Sequence, residues 1–151
     1  MKKLRIYVDM DGVIADFDKA KYNLKKSRQG RPDLYVDYLH LDVMPGAEEA
    51  ISYLNEHHEV FIASTPPWSR IQVWADKRAW LERWFPDLKR KLILTHRKDL
   101  LIGDVLIDDS CYRGQPNFKG NWIWFGDKNY PRVIDWKDCL EIIKNMENEK
   151  I

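Results

Sequence analysis

The sequence predicts one α/β domain, a three-layer Rossmann-like fold around a parallel sheet, with a small helical cap inserted after the first strand at about residues 17–44. Three observations predict it. Short β-prone apolar runs alternate with amphipathic segments long enough for helices. The runs are apolar throughout, as strands buried on both faces must be. Several of them end in acids or hydroxyls, and ligands bind at the carboxyl ends of the strands in such sheets.

The elements follow in order. Leu4 to Met10 is a strand that ends in a carboxylate and opens at Gly12. From Asp16 to about His40 the chain is polar with scattered aromatics and is broken by Gly30, Arg31 and Pro32, which predicts two short helices outside the main alternation. After Pro45 and Gly46, the residues Ala47, Ala50, Ile51 and Leu54 fall on one helical face. A strand at Val60 to Ser64 follows, then an aromatic amphipathic helix from about Arg70 to Phe85, stopped by Pro86. Residues 91–95, 104–107 and 121–125 predict three more strands. Asp135 is the N-cap of a closing helix through Ile142, Ile143 and Met146, and the charged end after it reads as frayed. Trp68, Trp74, Trp80 and Trp84 stand at near-helical spacing and are expected in the core.

Composition narrows the function. A chain of 151 residues, 44% hydrophobic and 32% charged, has the size and balance of one globular domain. A net charge of +1 supplies no field for holding a nucleic-acid polymer. The N-terminus has too few apolar residues for a signal peptide, and no stretch approaches the ~20 apolar residues of a membrane span. Cys111 and Cys139 form no disulfide framework and are expected as reduced thiols in a cytoplasmic protein. His57 and His58, adjacent and so pointing apart, are expected as solvated helix-end residues.

The informative residues sit at the predicted strand ends: Asp9 and Asp11, Ser64 and Thr65, Asp108 and Asp109, with Lys98 in the connection before the last pair. Carboxylates, hydroxyls and an ammonium are what phosphoryl transfer to a side-chain nucleophile needs. A carboxylate approaching a phosphate dianion meets like-charge repulsion, so a divalent cation and a lysine are required. Hard oxygen ligands such as Asp9 and Asp109 suit Mg²⁺ rather than zinc. Lys98 would neutralise the nucleophile and a phosphate oxygen, and Ser64 and Thr65 can donate to the remaining oxygens. Gly12 lets the chain turn and carry the carboxyl of Asp11 to the leaving-group side, where it serves as general acid and then base. A lone Asp-x-Asp also occurs in calcium loops, but Val13 and Ala15 offer no oxygen where such a loop needs one.

DMDGVIADF at 9–17, VFIASTPP at 60–67, the lysine in LTHRKDLL at 94–101 and VLIDD at 105–109 resemble the four ordered motifs of the haloacid dehalogenase superfamily. Within it, the ADF after the first motif, the PGA opening the first core helix and the WLER stretch at Trp80 to Arg83 are similar to the 5′(3′)-deoxyribonucleotidase family. The resemblance implies that Asp9 is the nucleophile and Asp11 the acid/base. It also implies Mg²⁺ on Asp9, on the Asp11 carbonyl and on Asp109, with Asp108 orienting the last. Ser64, Thr65, Lys98 and also Lys77 would hold phosphate, and Phe17 would stack on a pyrimidine under the cap. Tyr22, Tyr35 and Tyr38 either complete that wall or pack the cap helices. The hydroxyl pair runs Ser-Thr where the family commonly has Thr-Ser, and the insertion is shorter than the family's usual cap. The expected substrate is a small phosphomonoester, a deoxyribonucleotide by the resemblance. A phosphatase for another small phosphomonoester, such as a phosphosugar, and a catalytically silent binding domain are the alternatives.

Overall fold

A computed structural model describes residues 1–27, 35–126 and 135–149. Five parallel strands form one sheet in the order β3-β2-β1-β4-β5: β1 Arg5–Val8, β2 Glu59–Ser64, β3 Leu92–Leu94, β4 Val105–Asp108 and β5 Asn121–Trp124. The helices are α1 Phe17–Ser27, α2 Ala47–His57, α3 Ile71–Trp84 and α4 Trp136–Glu147. This is the α/β Rossmann-like fold that the sequence predicts.

The two faces of the sheet are covered differently. Ile6, Val8, Val60, Ile62, Val105 and Ile107 point to one face and pack with buried residues of α2, α3 and α4 into the main core. The chain walks from β1 to β2 to β3 in one direction, so right-handed crossovers put α2 and α3 on that same face. Tyr7, Ala63 and Leu106 point the other way, under Phe118 and Leu101. The later connections supply only single 3-10 turns at Lys98–Leu100 and Gln115–Asn117. A short connection on this second face brings Lys98 to the sheet edge.

α4 is capped as expected, with the Asp135 side chain accepting from the N–H of Asp138 at 3.0 Å. Its far end is not frayed up to Glu147, which is buried against His58. His58 is likewise not solvated: Nδ1 accepts from the Leu4 N–H at 3.0 Å and Nε2 meets Glu147 at 2.7 Å. Only Trp80 of the four tryptophans is a core residue. α3 starts at Ile71, so Trp68 lies before it and is 78% exposed, and Trp84 at the helix end is also exposed. Cys111 and Cys139 are free thiols.

The segment between β1 and α2 leaves and rejoins the domain at one place. Asp16 N–H donates to Asp42 O and Met44 N–H to Ile14 O, each at 2.8 Å, with an antiparallel bridge between Ala15 and Val43. Between these ends lie α1 and a 3-10 turn at Tyr38–His40, while the expected break at Gly30 to Pro32 falls outside the described residues. Trp80 of α3 fastens the segment by donating its indole N–H to Leu41 O at 2.8 Å.

Candidate active site

β1 delivers Asp9 at its carboxyl end with the backbone still in the sheet, its N–H donating to Ile107 O at 2.8 Å. The chain then turns: the N–H groups of Val13, Ile14 and Ala15 all donate to Met10 O. Gly12 has φ +81°, a left-handed conformation costly for other residues, and a Cβ there would collide with the Asp109 carboxylate. The turn swings Asp11 aside, where its Oδ2 meets Lys77 Nζ at 2.6 Å. Lys77 is buried, reaching in from α3.

Lys98 lies beneath the strand ends. Its buried ammonium donates to Asp9 Oδ1 at 2.8 Å, Ala63 O at 2.9 Å and Asp108 Oδ2 at 2.5 Å. A cleft of about 550 Å³ opens over these groups, lined by Asp9, Asp11, Phe17, Thr65, Lys98, Asp108 and Asp109. Thr65 commits its hydroxyl to Thr95 O at 2.7 Å, whereas Ser64 is buried just behind with an unpartnered Oγ. Asp11 Oδ1 is the other buried polar side-chain atom without a partner among the described residues.

Acids outnumber ammoniums here, and the titration behaviour follows. Burial, reinforced by the charge of Asp9, pushes Asp108 up to about 7 against the pull of Lys98. Burial, then the charge and hydrogen bond of Asp9, pushes Asp109 up to about 9. Asp11 is also raised, by burial first, against the opposing charge of Lys77. For Lys98 burial alone would lower the pKa, but Asp9 and Asp108 outweigh it and hold the ammonium charged.

This donor set fits a hard divalent cation. Asp9, Asp108 and Asp109 each bring a carboxylate oxygen to within 4.8 Å of the others, the first two buried and the third half-buried, and one ammonium serves only two of them. The carboxylate of Asp11 stands apart from these three, on Lys77.

Phe17 is at the cleft wall, stacked on buried Tyr38 with centroids 5.7 Å apart. Lys77 Nζ lies 5.0 Å from the Tyr38 ring, so one aromatic links the Phe17 wall to the Lys77–Asp11 pair. Tyr22 and Tyr35 are exposed and do not line the cleft. Ser110, Tyr112, Arg113 and Gln115 also line it, and sequence reasoning missed them. Their place just after the Asp108–Asp109 pair, in a loop leaving a strand end, was the available signal.

The fold and this constellation define a haloacid dehalogenase-like phosphomonoester hydrolase. The family described as "5' nucleotidase, deoxy (Pyrimidine), cytosolic type C protein" matches residues 29–148. The chain belongs to that family and is a phosphatase of the 5′-nucleotidase type. A Vibrio phage KVP40 protein named "Putative 5'(3')-deoxyribonucleotidase" is 38% identical over 137 residues, covering 87% of this chain and 79% of the relative. The human cytosolic-type 5′(3′)-deoxyribonucleotidase is 29% identical over 150 residues, covering 76% and 75%. Among solved structures, a Xanthomonas campestris haloacid dehalogenase-like hydrolase superposes with TM-score 0.64 over 96% of each chain. The magnesium-bound HAD-hydrolase YfnB of Bacillus subtilis superposes with TM-score 0.61 over 95% of this chain and 99% of that one. Both are 12% identical to this chain and bear on the fold alone. No helix among the described residues is long and apolar enough to cross a membrane.

Proposed function

We propose that the protein is a Mg²⁺-dependent 5′(3′)-deoxyribonucleotidase that hydrolyses deoxyribonucleoside monophosphates through an aspartyl-phosphate on Asp9. Asp9, Asp109 and the Asp11 carbonyl would hold Mg²⁺, with Asp108 orienting Asp109. The cation supplies the positive charge that lets a carboxylate approach a phosphate dianion. Lys98, already on Asp9, adds a second positive charge; the Ser64 hydroxyl, the main-chain N–H of Thr65, whose own hydroxyl is held by Thr95 O, and Lys77 on release from Asp11 would hold phosphate oxygens.

An Asp9 carboxylate oxygen forms the bond to phosphorus while the bond to the ester oxygen breaks, and Asp11 gives its proton to the departing alkoxide. Asp11, now a carboxylate, takes a proton from a water that attacks the same phosphorus. The acyl-phosphate bond breaks, Asp9 is regenerated and inorganic phosphate leaves. Burial raises the pKa of Asp11 against the pull of Lys77, the direction that favours the acid role.

The observation that carries the reading is the buried cluster of Asp9, Asp108 and Asp109 on Lys98, with Asp11 at its side. The naming of the phage and human relatives supports a deoxyribonucleotide as substrate. The paired ends of residues 17–44 support the cap reading, and Phe17 in the cleft wall supports stacking on the base. A phosphomonoester panel assayed with Mg²⁺ and with EDTA is the test. The expected result is faster turnover of dUMP and dTMP than of sugar phosphates, abolished by EDTA. Faster turnover of sugar phosphates would overturn the substrate assignment, and full activity in EDTA the metal.

A further inference from the structure

β5 is an edge strand that carries two tryptophans, Trp122 and Trp124, on either side of the buried Ile123. Residues two apart on a strand share a face, and the two indoles stack with centroids 4.6 Å apart and an interplanar angle of 29°. Covering an edge strand needs only apolar surface, which a leucine or valine supplies. An indole adds one thing those residues lack, an N–H donor.

Both donors are spent on the acidic pair of the site. Trp124 Nε1 donates to the main-chain O of Asp109 at 3.0 Å, and Trp122 Nε1 to the main-chain O of Asp108 at 3.3 Å. The two bonds differ in weight. Asp108 is still in the ladder, paired with Trp124, and its carbonyl already accepts from the Phe125 N–H at 3.0 Å. Asp109 lies one residue beyond the ladder, so the indole of Trp124 supplies the hydrogen bond that the sheet does not. On its other side the Asp109 carboxylate presses so close to Gly12 that a Cβ there would collide with it. The main chain of Asp109 is thus held by the indole, and its carboxylate lies against the Cβ-free face of Gly12.

We propose that Trp124 is a positioning residue of the catalytic centre: its indole N–H fixes the backbone of Asp109 and thereby sets the affinity of the site for its divalent cation. Trp122 acts mainly as the ring against which Trp124 is held. The inference rests on the metal-dependent reading above and deepens it.

Trp124→Phe keeps an aromatic ring on the stack and removes the donor. Calorimetric titration of the full chain with Mg²⁺, without substrate, reads the affinity directly. Loss of one orienting hydrogen bond to a metal ligand is expected to raise the Mg²⁺ Kd about three- to tenfold. Trp122→Phe is expected to raise it less than about twofold, because the Phe125 N–H still holds Asp108. Excess Mg²⁺ should restore the turnover of Trp124→Phe, since the carboxylate itself is intact. A Trp124→Phe protein that melts earlier but binds Mg²⁺ as tightly as wild type would overturn the proposal, leaving the indole a merely structural role. So would equal weakening in the two variants. Failure of the wild-type protein to bind Mg²⁺ would overturn the metal reading itself, an outcome distinct from either.

Discussion

The two ends of the sheet both bury ionisable groups, and they finish the task differently. At the amino end His58 accepts from Leu4 through Nδ1, which leaves its proton on Nε2 for Glu147, and Tyr53 donates to both Glu147 oxygens at 3.0 Å. Every group there has a partner from the protein itself. At the carboxyl end four acids, Asp9, Asp11, Asp108 and Asp109, face two ammoniums, Lys77 and Lys98. Asp11 Oδ1 and Ser64 Oγ are left over. Burial of charge does not by itself mark a functional site. An incomplete set of partners is the stronger marker, because it leaves donors and acceptors for a cation and a substrate to meet.

The two ends of the sheet differ most at Asp9. Asp9→Asn should lower phosphate release by more than about 10³-fold while the protein melts no earlier, because the change relieves like-charge crowding. Unchanged turnover would remove the proposed nucleophile. Asp11→Asn should cost about 10²- to 10⁴-fold on ordinary esters and much less on an activated ester whose leaving group needs no proton. Equal losses on the two would take the acid role from Asp11.

Phe17→Ala should raise KM for nucleotides about ten- to hundredfold and spare a small generic ester, as loss of one stacked base contact predicts. Unchanged nucleotide KM would take the base away from this wall. At the opposite end of the sheet, Glu147→Ala strands the donors of His58 and Tyr53. It should cost about 1–3 kcal/mol of stability in a denaturant titration and leave kcat unaltered below the transition. A loss of kcat with no loss of stability would erase the distinction between the two ends.

The smallest expected effect is pH-linked. In the metal-free fold Asp108 and Asp109 keep protons up to about 7 and 9, which the unfolded chain releases near its ordinary value of 3.8. Their folded pKa values are raised, so their contribution to stability is lost as pH rises through that interval. Mg²⁺ held by this cluster would displace those protons, so its stabilising effect should grow with pH. The rise in melting temperature on adding Mg²⁺ should be greater at about pH 8.5 than at about pH 6. A rise that is flat or reversed would contradict the crowded-acid picture.

What the sequence reveals of this arrangement depends on distance along the chain. Strand ends are local signals, so Asp9, Asp108 and Asp109 are placed correctly from short apolar runs alone, and the Asp135 cap from its spacing to the helix. His58 and Glu147 meet across 89 positions, and no local pattern announces a histidine satisfied from so far away. The near-helical spacing of the tryptophans runs across a helix start: Trp68 precedes α3 and takes no part in its periodicity. Lys77 was legible only through the family resemblance, since a single lysine on an amphipathic helix ordinarily faces solvent. Tyr112 and Arg113 went unseen because loop residues carry no period, and only the fold brings them to the cleft.

The unfinished end of the sheet is expected to form a covalent bond to phosphate. The most direct measurement is a rapid quench of the Mg²⁺-loaded enzyme during turnover of dUMP, with borohydride reduction of any acyl phosphate and peptide mass spectrometry. Reduction of Asp9 to homoserine is expected in the wild-type protein and none in Asp9→Asn. Homoserine at another aspartate, or none in an enzyme that is turning over, would contradict it.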